Sequence, residues 1–209
     1  MFPAKTSFNK IMPKSKFLKM TDLSTQARKE FEENVDRLIL ANILRKDTIN
    51  IEAGETVSEI DVLEILLKQK QLSDKVIREI DSNIPKSIIF YLRYDDKAQL
   101  AISFKERGKE NFKVVKIYRT EWLNHKELKL EIRGLNLDSV FCGFIEQIAD
   151  GKIELNEETN IKEAVEKSVD REKLEKQILQ LENKLKKEKQ FNKQLEIKNQ
   201  LKELKRRIT

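Results

Sequence analysis

The sequence of 209 residues predicts an α+β fold: a mostly antiparallel sheet with packed helices, followed by a long C-terminal coiled-coil-like helix. Three observations carry that expectation. Residues Ser87–Lys105 hold two β-rich runs, SIIFYLRY and AQLAISFK, on either side of the polar turn Asp95-Asp96-Lys97, the pattern of a hairpin. Apolar residues at helical spacings of three and four recur before and after that hairpin. From Ile161 onward Gly and Pro vanish, Phe191 is the single aromatic, and Leu174, Ile178, Leu181 and Leu185 alternate by four and three as a coiled-coil seam. The division that follows is a basic N-terminal arm (1–20), an α+β body (21–155) and a basic helical tail (161–209).

Within the arm, Pro3 and Pro13 resist regular structure, while Phe2, Phe8, Ile11, Phe17 and Leu18 are too apolar for a floating tail. The arm is expected to pack partly on the body, either lying along nucleic acid or clamping the core. Residues 24–45 read as a helix: Ser24 is a plausible N-cap, and Ala27, Phe31, Val35, Leu38 and Ile39 share a face. A short extended piece is expected at Thr48–Ile51, then a turn at Ala53-Gly54-Glu55. Val57–Leu67 suits either period, and its β-branched content and preceding glycine turn favour a strand. Ser73 caps a helix with Leu72, Val76, Ile77 and Ile80 on one face, ended by Pro85. After the hairpin, strands are expected at Phe112–Tyr118 and about Leu128–Ile132. Asp138 is read as the cap of a last helix whose Val140, Phe141, Phe144, Ile145 and Ile148 face inward and which Gly151 closes.

In the tail, the seam's next positions in frame are Glu188, Asn192, Leu195 and Asn199, so the seam breaks near KKEKQFN and resumes in a new frame at Leu201, Leu204 and Ile208. This fits one helix about 70 Å long with a stutter, or an antiparallel hairpin bending near Lys189–Asn192. The absence of Gly and Pro favours the continuous helix.

Charge is unevenly placed. There are 42 Lys+Arg against 36 Asp+Glu, for a formal +6, and charged residues make up 37% of the chain. The arm holds five lysines and no acid, residues 163–209 hold 14 basic and 9 acidic side chains, and the stretch from Asn183 holds ten against three. The intervening body is mildly acidic. That pattern excludes a uniformly basic nucleic-acid-binding domain and puts any polyanion contact at the ends. A single cysteine, Cys142, and a single histidine, His125, exclude an internal disulfide and make a Cys/His zinc site untenable. No apolar run nears the ~20 residues that span a bilayer, and the first residues lack a signal peptide's apolar stretch. A cytoplasmic protein with no membrane contact is expected.

No phosphate-binding glycine loop or nucleophile elbow occurs, and no cofactor is expected. His125 lies in a polar stretch and reads as a surface residue. A Mg-dependent nuclease of restriction-endonuclease-like type would draw on Glu59, Asp61 and Glu64, with Lys68 after the strand. Glu59 and Asp61 share a strand face and Glu64 falls on the other. Asp95-Asp96-Lys97 imitates a D-x-K element at a position where a turn is needed. Trp122, near Arg119, suits base stacking, partner docking or the plugging of a sheet edge. Lys184, Lys186, Lys187, Lys189 and Lys193 flank the seam, followed by Lys198, Lys202, Lys205, Arg206 and Arg207; such arms on a rod track phosphates without reading bases. Alternatively, the seam of Leu174, Ile178, Leu181 and Leu185 binds another helix and the lysines only solvate it.

Several segments together resemble a known family: KIMPKSKF near the start, IDSNIPKSIIFYLRY in the centre, Thr120-Glu121-Trp122, GLNLDSV at Gly134–Val140, and LENKLKKEKQFNKQLEIKNQLKELK in the tail. Over essentially the whole chain they are similar to the bacterial domain-of-unknown-function family 4391. The resemblance implies no catalytic residues. It implies a setting beside helicases and DNA methyltransferases of restriction-like or phage-defence loci. The resulting expectation is a non-enzymatic accessory or adaptor subunit of such a system. Its C-terminal helix would bind a protein partner (a helicase, a methyltransferase or a second copy) and DNA. The alternatives are the Mg-dependent nuclease and a self-associating coiled-coil structural protein.

Overall fold

The computed structural model of the chain describes residues 2–108, 111–153 and 161–208. Residues 154 and 155, the expected end of the body, and the side chain of Ile208, expected in the seam, lie outside what is described. The chain divides into two compact units, Met1–Lys152 and Ile153–Thr209.

The first unit is built on one mixed sheet. Its strands are β1 (Ser7–Met12), β2 (Val35–Leu44), β3 (Ile60–Leu67), β4 (Ser87–Tyr94), β5 (Lys97–Arg107) and β6 (Phe112–Arg119), adjacent in that order. A two-residue β7 (Leu123–Asn124) pairs with the start of β5. Every pairing is antiparallel except β3 with β4, whose parallel register needs a crossover. The helices are α1 (Lys14–Met20), α2 (Thr25–Asn34), the single turn α3 (Lys46–Ile49), the crossover helix α4 (Asp74–Asn83) and α5 (Leu137–Ala149). Phe17, Ala27, Phe31, Val76, Ile77 and Ile80, from α1, α2 and α4, pack on one sheet face with Leu63, Ile65, Phe90 and Leu92. The opposite face carries α5 over β5 and β6.

Two serine caps clasp α2 and α4. Ser24 caps α2, and Glu79 of α4 accepts from its amide at 2.7 Å and its hydroxyl at 2.8 Å. Ser73 caps α4, and Glu30 of α2 accepts from its amide at 2.6 Å and its hydroxyl at 2.7 Å. Each helix thus holds the other's N-cap in the orientation that satisfies its first-turn amides.

Several sequence expectations are corrected. The helix expected over 24–45 stops at Asn34, and β2 follows. Register shifts at Val35/Arg37 and Leu40/Asn42 insert extra residues into β2, so its buried positions Val35, Leu38, Ala41 and Leu44 fall three apart. Bulges thereby give a strand the spacing of a helix. The extended piece expected at Thr48–Ile51 is instead the helical turn α3, closed by Asn50 at φ +55°. No strand forms at Leu128–Ile132. Leu128 and Leu130 are buried, but the Glu131 amide and carbonyl are bonded by the Gln147 side chain of α5 rather than by a ladder. The cap of α5 is Asn136, whose side chain accepts from Ser139 N at 2.9 Å, and not Asp138. The expected arm contributes edge strand β1 and helix α1. Lys14 donates to the carbonyl of Val35 at 2.5 Å, capping the end of α2.

The second unit contains α6 (Ile161–Lys187) and α7 (Phe191–Ile208), which pack together. The long continuous helix is therefore replaced by two helices. Glu188 ends α6: its Oε1 accepts from the amides of Lys189 and Gln190, both at 2.9 Å, while Gln194 Nε2 donates to its carbonyl at 2.7 Å. A side-chain carboxylate and an amide satisfy the groups exposed at the break, so neither Gly nor Pro is needed. Lys205 meets Glu182 at 2.7 Å across the pair, which fixes α7 running back along α6.

Candidate nucleic-acid interface and the acidic cluster

On α7 the inward face comprises Ile197 and Leu201, both buried, and half-buried Leu204. At about 100° per residue, Lys198, Lys202, Lys205 and Arg206 fall on one adjoining flank, while Glu196 and Glu203 fall on the other. The four cations line a surface groove of about 510 Å³ beside Leu201. Lys205 is braced there by Glu182, whose carboxyl lies below its ordinary range chiefly through the hydrogen bond and charge of Lys205. Lys193 and Arg207 belong to the far flank, where Arg207 lies 3.9 Å from Glu203. Lys184, Lys186 and Lys187 occupy the last turn of α6, and Lys189 the break. Basic last turns on both helices also favour the negative ends of their dipoles.

The seam residues Leu174, Ile178, Leu181 and Leu185 are half-buried on α6, the helix against which α7 packs. Ile197, absent from the expected second seam, is among the most buried residues of α7 at 4% exposed. Its position four before Leu201 and seven before Leu204 becomes legible only when the frame restarts after the break. Phe191 and Leu195 remain exposed.

In the first unit, Glu59 and Asp61 come together at the start of β3. Lys86, just before β4, contacts Glu59 and lies 3.5 Å from Asp61 Oδ2. Asp61 is 7% exposed, and its Oδ1 has no hydrogen-bond partner. Burial pushes the Asp61 carboxyl up to about 6; Lys86 opposes this and Glu59 adds to it. Glu64 is not part of this group: it lies on the opposite strand face, paired with Arg93 at 2.8 Å. Among the described residues no group of three or more His, Cys, Asp or Glu side chains is placed to hold a metal ion. Asp95 and Asp96 form the β4–β5 turn, with Asp95 at φ +50°, Lys97 opens β5 opposite Tyr94, and Lys68 donates to the Glu32 carbonyl at the end of α2.

A second buried polar group braces the end of α4. Lys105 Nζ lies 2.8 Å from Asp81 Oδ1 and donates to the carbonyls of Asp81, Ile84 and Lys86 at 3.0, 2.7 and 2.7 Å. Ser103 also donates to Asp81. Sequence reading missed this group because Asp81 on α4 lies 22 and 24 positions from Ser103 and Lys105 on β5.

Trp122 is half-buried against the edge of the core, with Lys70 Nζ 5.5 Å from its ring centroid. Arg119 is engaged by Asp74 Oδ1 at 2.6 Å, Gln99 Oε1 at 2.9 Å and the Leu72 carbonyl at 2.8 Å. His125 lies on the hairpin turn, its amide donating to Asp96 O at 3.0 Å. A broad cleft of about 1260 Å³ is lined by Lys5, Arg45 and Lys46 among others. Asp47 neutralises Arg45 and Glu52 neutralises Lys46, each at 2.7 Å. Among the described residues no helix is long and apolar enough to cross a membrane.

One protein-family model, that of a domain of unknown function (DUF4391), matches residues 1–208. No curated protein and no solved structure matches the chain.

Proposed function

The chain belongs to the DUF4391 family, and from that membership we propose that it is a non-enzymatic adaptor whose α6–α7 hairpin binds nucleic acid, with the sheet unit as its folded platform. The observation that carries this reading is the flank of α7 on which Lys198, Lys202, Lys205 and Arg206 line one groove, with Glu182 of α6 holding Lys205 in place. Long cationic arms in a row along a rod suit the regular charge of a phosphate backbone, and they bind by position rather than by base sequence. The adaptor is preferred to the nuclease because the carboxylates that meet at Lys86 are Glu59 and Asp61, while Glu64 pairs elsewhere. Its placement in a helicase- or methyltransferase-associated restriction or phage-defence system rests on the family resemblance, and the half-buried α6 seam is its protein-facing candidate.

Binding of a labelled oligonucleotide, followed by fluorescence anisotropy, tests the reading. The triple change Lys198→Glu/Lys202→Glu/Arg206→Glu should weaken binding by about tenfold or more at moderate salt. Lys193→Glu/Arg207→Glu, on the other flank, should change it by no more than about threefold. Equal losses from both flanks would reduce the site to diffuse net charge. Capture from the native host with and without residues 163–209 tests the adaptor role. A helicase or methyltransferase retained only by the full chain supports it, and retention without the hairpin argues against it.

A further inference from the structure

Two exposed apolar side chains extend the basic flank of α7. Phe191, the first residue of the helix, is 74% exposed, and Leu195, one turn on, is 52% exposed. At about 100° per residue both fall within the sector occupied by Lys198, Lys202 and Arg206. The flank therefore begins with an aromatic ring, continues through an aliphatic side chain and runs on through cations. From Phe191 to Arg206 it is about 22 Å long at ~1.5 Å per residue. Glu196 and Glu203 lie on the far side of the helix.

We infer that this flank takes single-stranded rather than duplex nucleic acid, with Phe191 stacking on an unpaired base and Lys198, Lys202 and Arg206 following the adjoining phosphates. The inference rests on the nucleic-acid reading above and names its substrate class. In a duplex the base faces are covered by their neighbours, so an aromatic on a straight rod reaches only backbone. In a single strand each base offers a π-face, and stacking on an aromatic adds affinity without sequence preference. A ring at one end of a cationic track satisfies both requirements. An amphipathic partner helix fits this flank less well. Such helices need apolar anchors repeating at three, four and seven residues, and here the apolar run ends after Leu195, with Lys198, Asn199 and Lys202 at the next positions.

The test uses the full chain and three probes of about twelve nucleotides: oligothymidylate, an abasic deoxyribose-phosphate strand of the same charge, and a duplex. Oligothymidylate should bind about tenfold more tightly than the abasic strand, and Phe191→Ala should remove most of that difference while leaving the abasic strand's affinity unchanged. Phe191→Trp should retain the preference. Equal binding of the thymidylate and abasic strands, unaffected by Phe191→Ala, would overturn the single-strand inference while leaving the polyanion site standing. Preference for the duplex would overturn it too. If no probe binds, the nucleic-acid reading falls with it.

Discussion

Asp138 occupies the second position of α5, yet its carboxylate serves another segment. It accepts from the amide of Glu55 at 2.7 Å, from the amide and hydroxyl of Thr56, and from the amide of Val57 at 2.7 Å. Burial pushes this carboxyl up, but the bonds from Thr56, Val57 and Glu55 outweigh it and hold it below its ordinary 3.8. Its contribution is therefore complete above 3.8 and lost as pH falls through the lower folded value. Asp138→Ala should cost about 2 kcal/mol at neutral pH by urea unfolding, with the deficit shrinking in acid. A side chain at Gly54 would overlap the same carboxylate, so Gly54→Ala should destabilise through displacement of this loop. Asp61 has the opposite sign. With its folded value raised to about 6 from 3.8, the native state holds its proton more tightly, and this contribution is lost as pH rises across that interval. Asp61→Asn should therefore be more stable than the parent at pH above about 6 by roughly 1 kcal/mol, with no gain below 3.8. Burial lowers the Lys105 amine and raises the Asp81 carboxyl, each opposed by the other's charge. Lys105→Met should cost about 3–5 kcal/mol by leaving Asp81 buried and uncompensated, and adding Asp81→Leu should recover much of the loss. A double variant no better than Lys105→Met would mean that the lost carbonyl contacts, not the stranded charge, set the cost.

Elements whose periodicity matches their secondary structure were legible in the sequence. The β4–β5 hairpin, α4 after its Ser73 cap and α5 all lie close to where their patterns place them. The failures have separate physical origins in strand bulges, in a side chain reaching across the fold and in a local side-chain cap. Bulges in β2 converted a period of two into three, and Gln147 replaced a ladder at Glu131. Glu188 ended α6 without a helix breaker. The Glu59–Asp61 adjacency follows from strand alternation, whereas Lys86 joins them only through the parallel β3–β4 register, which local spacing does not encode. The hairpin itself can be measured. Spin labels at Lys176 and Arg207 would stand about 46 Å apart on one straight helix. With α7 folded back along α6 they should lie within roughly 20 Å, given interaxial distances of about 8–10 Å. A distance near the larger figure would restore the continuous rod.

Across the whole molecule, the formal +6 is a poor guide to where a polyanion could bind. Several cations of the first unit are engaged in holding it together: Lys14 and Lys68 cap α2, Lys105 caps α4, Arg119 ties α4 to β5, and Lys86 bridges two acids. The α7 flank differs in gathering its cations around one groove. The most direct measurement is the salt dependence of oligonucleotide affinity for the parent and for Lys198→Glu/Lys202→Glu/Arg206→Glu. Three or four phosphates neutralised by the flank give a log–log slope of about −2 to −3 for a single strand. The triple variant should bring that slope close to zero. An unchanged slope in the variant, or a parent whose affinity ignores salt, would contradict a phosphate-binding flank on α7.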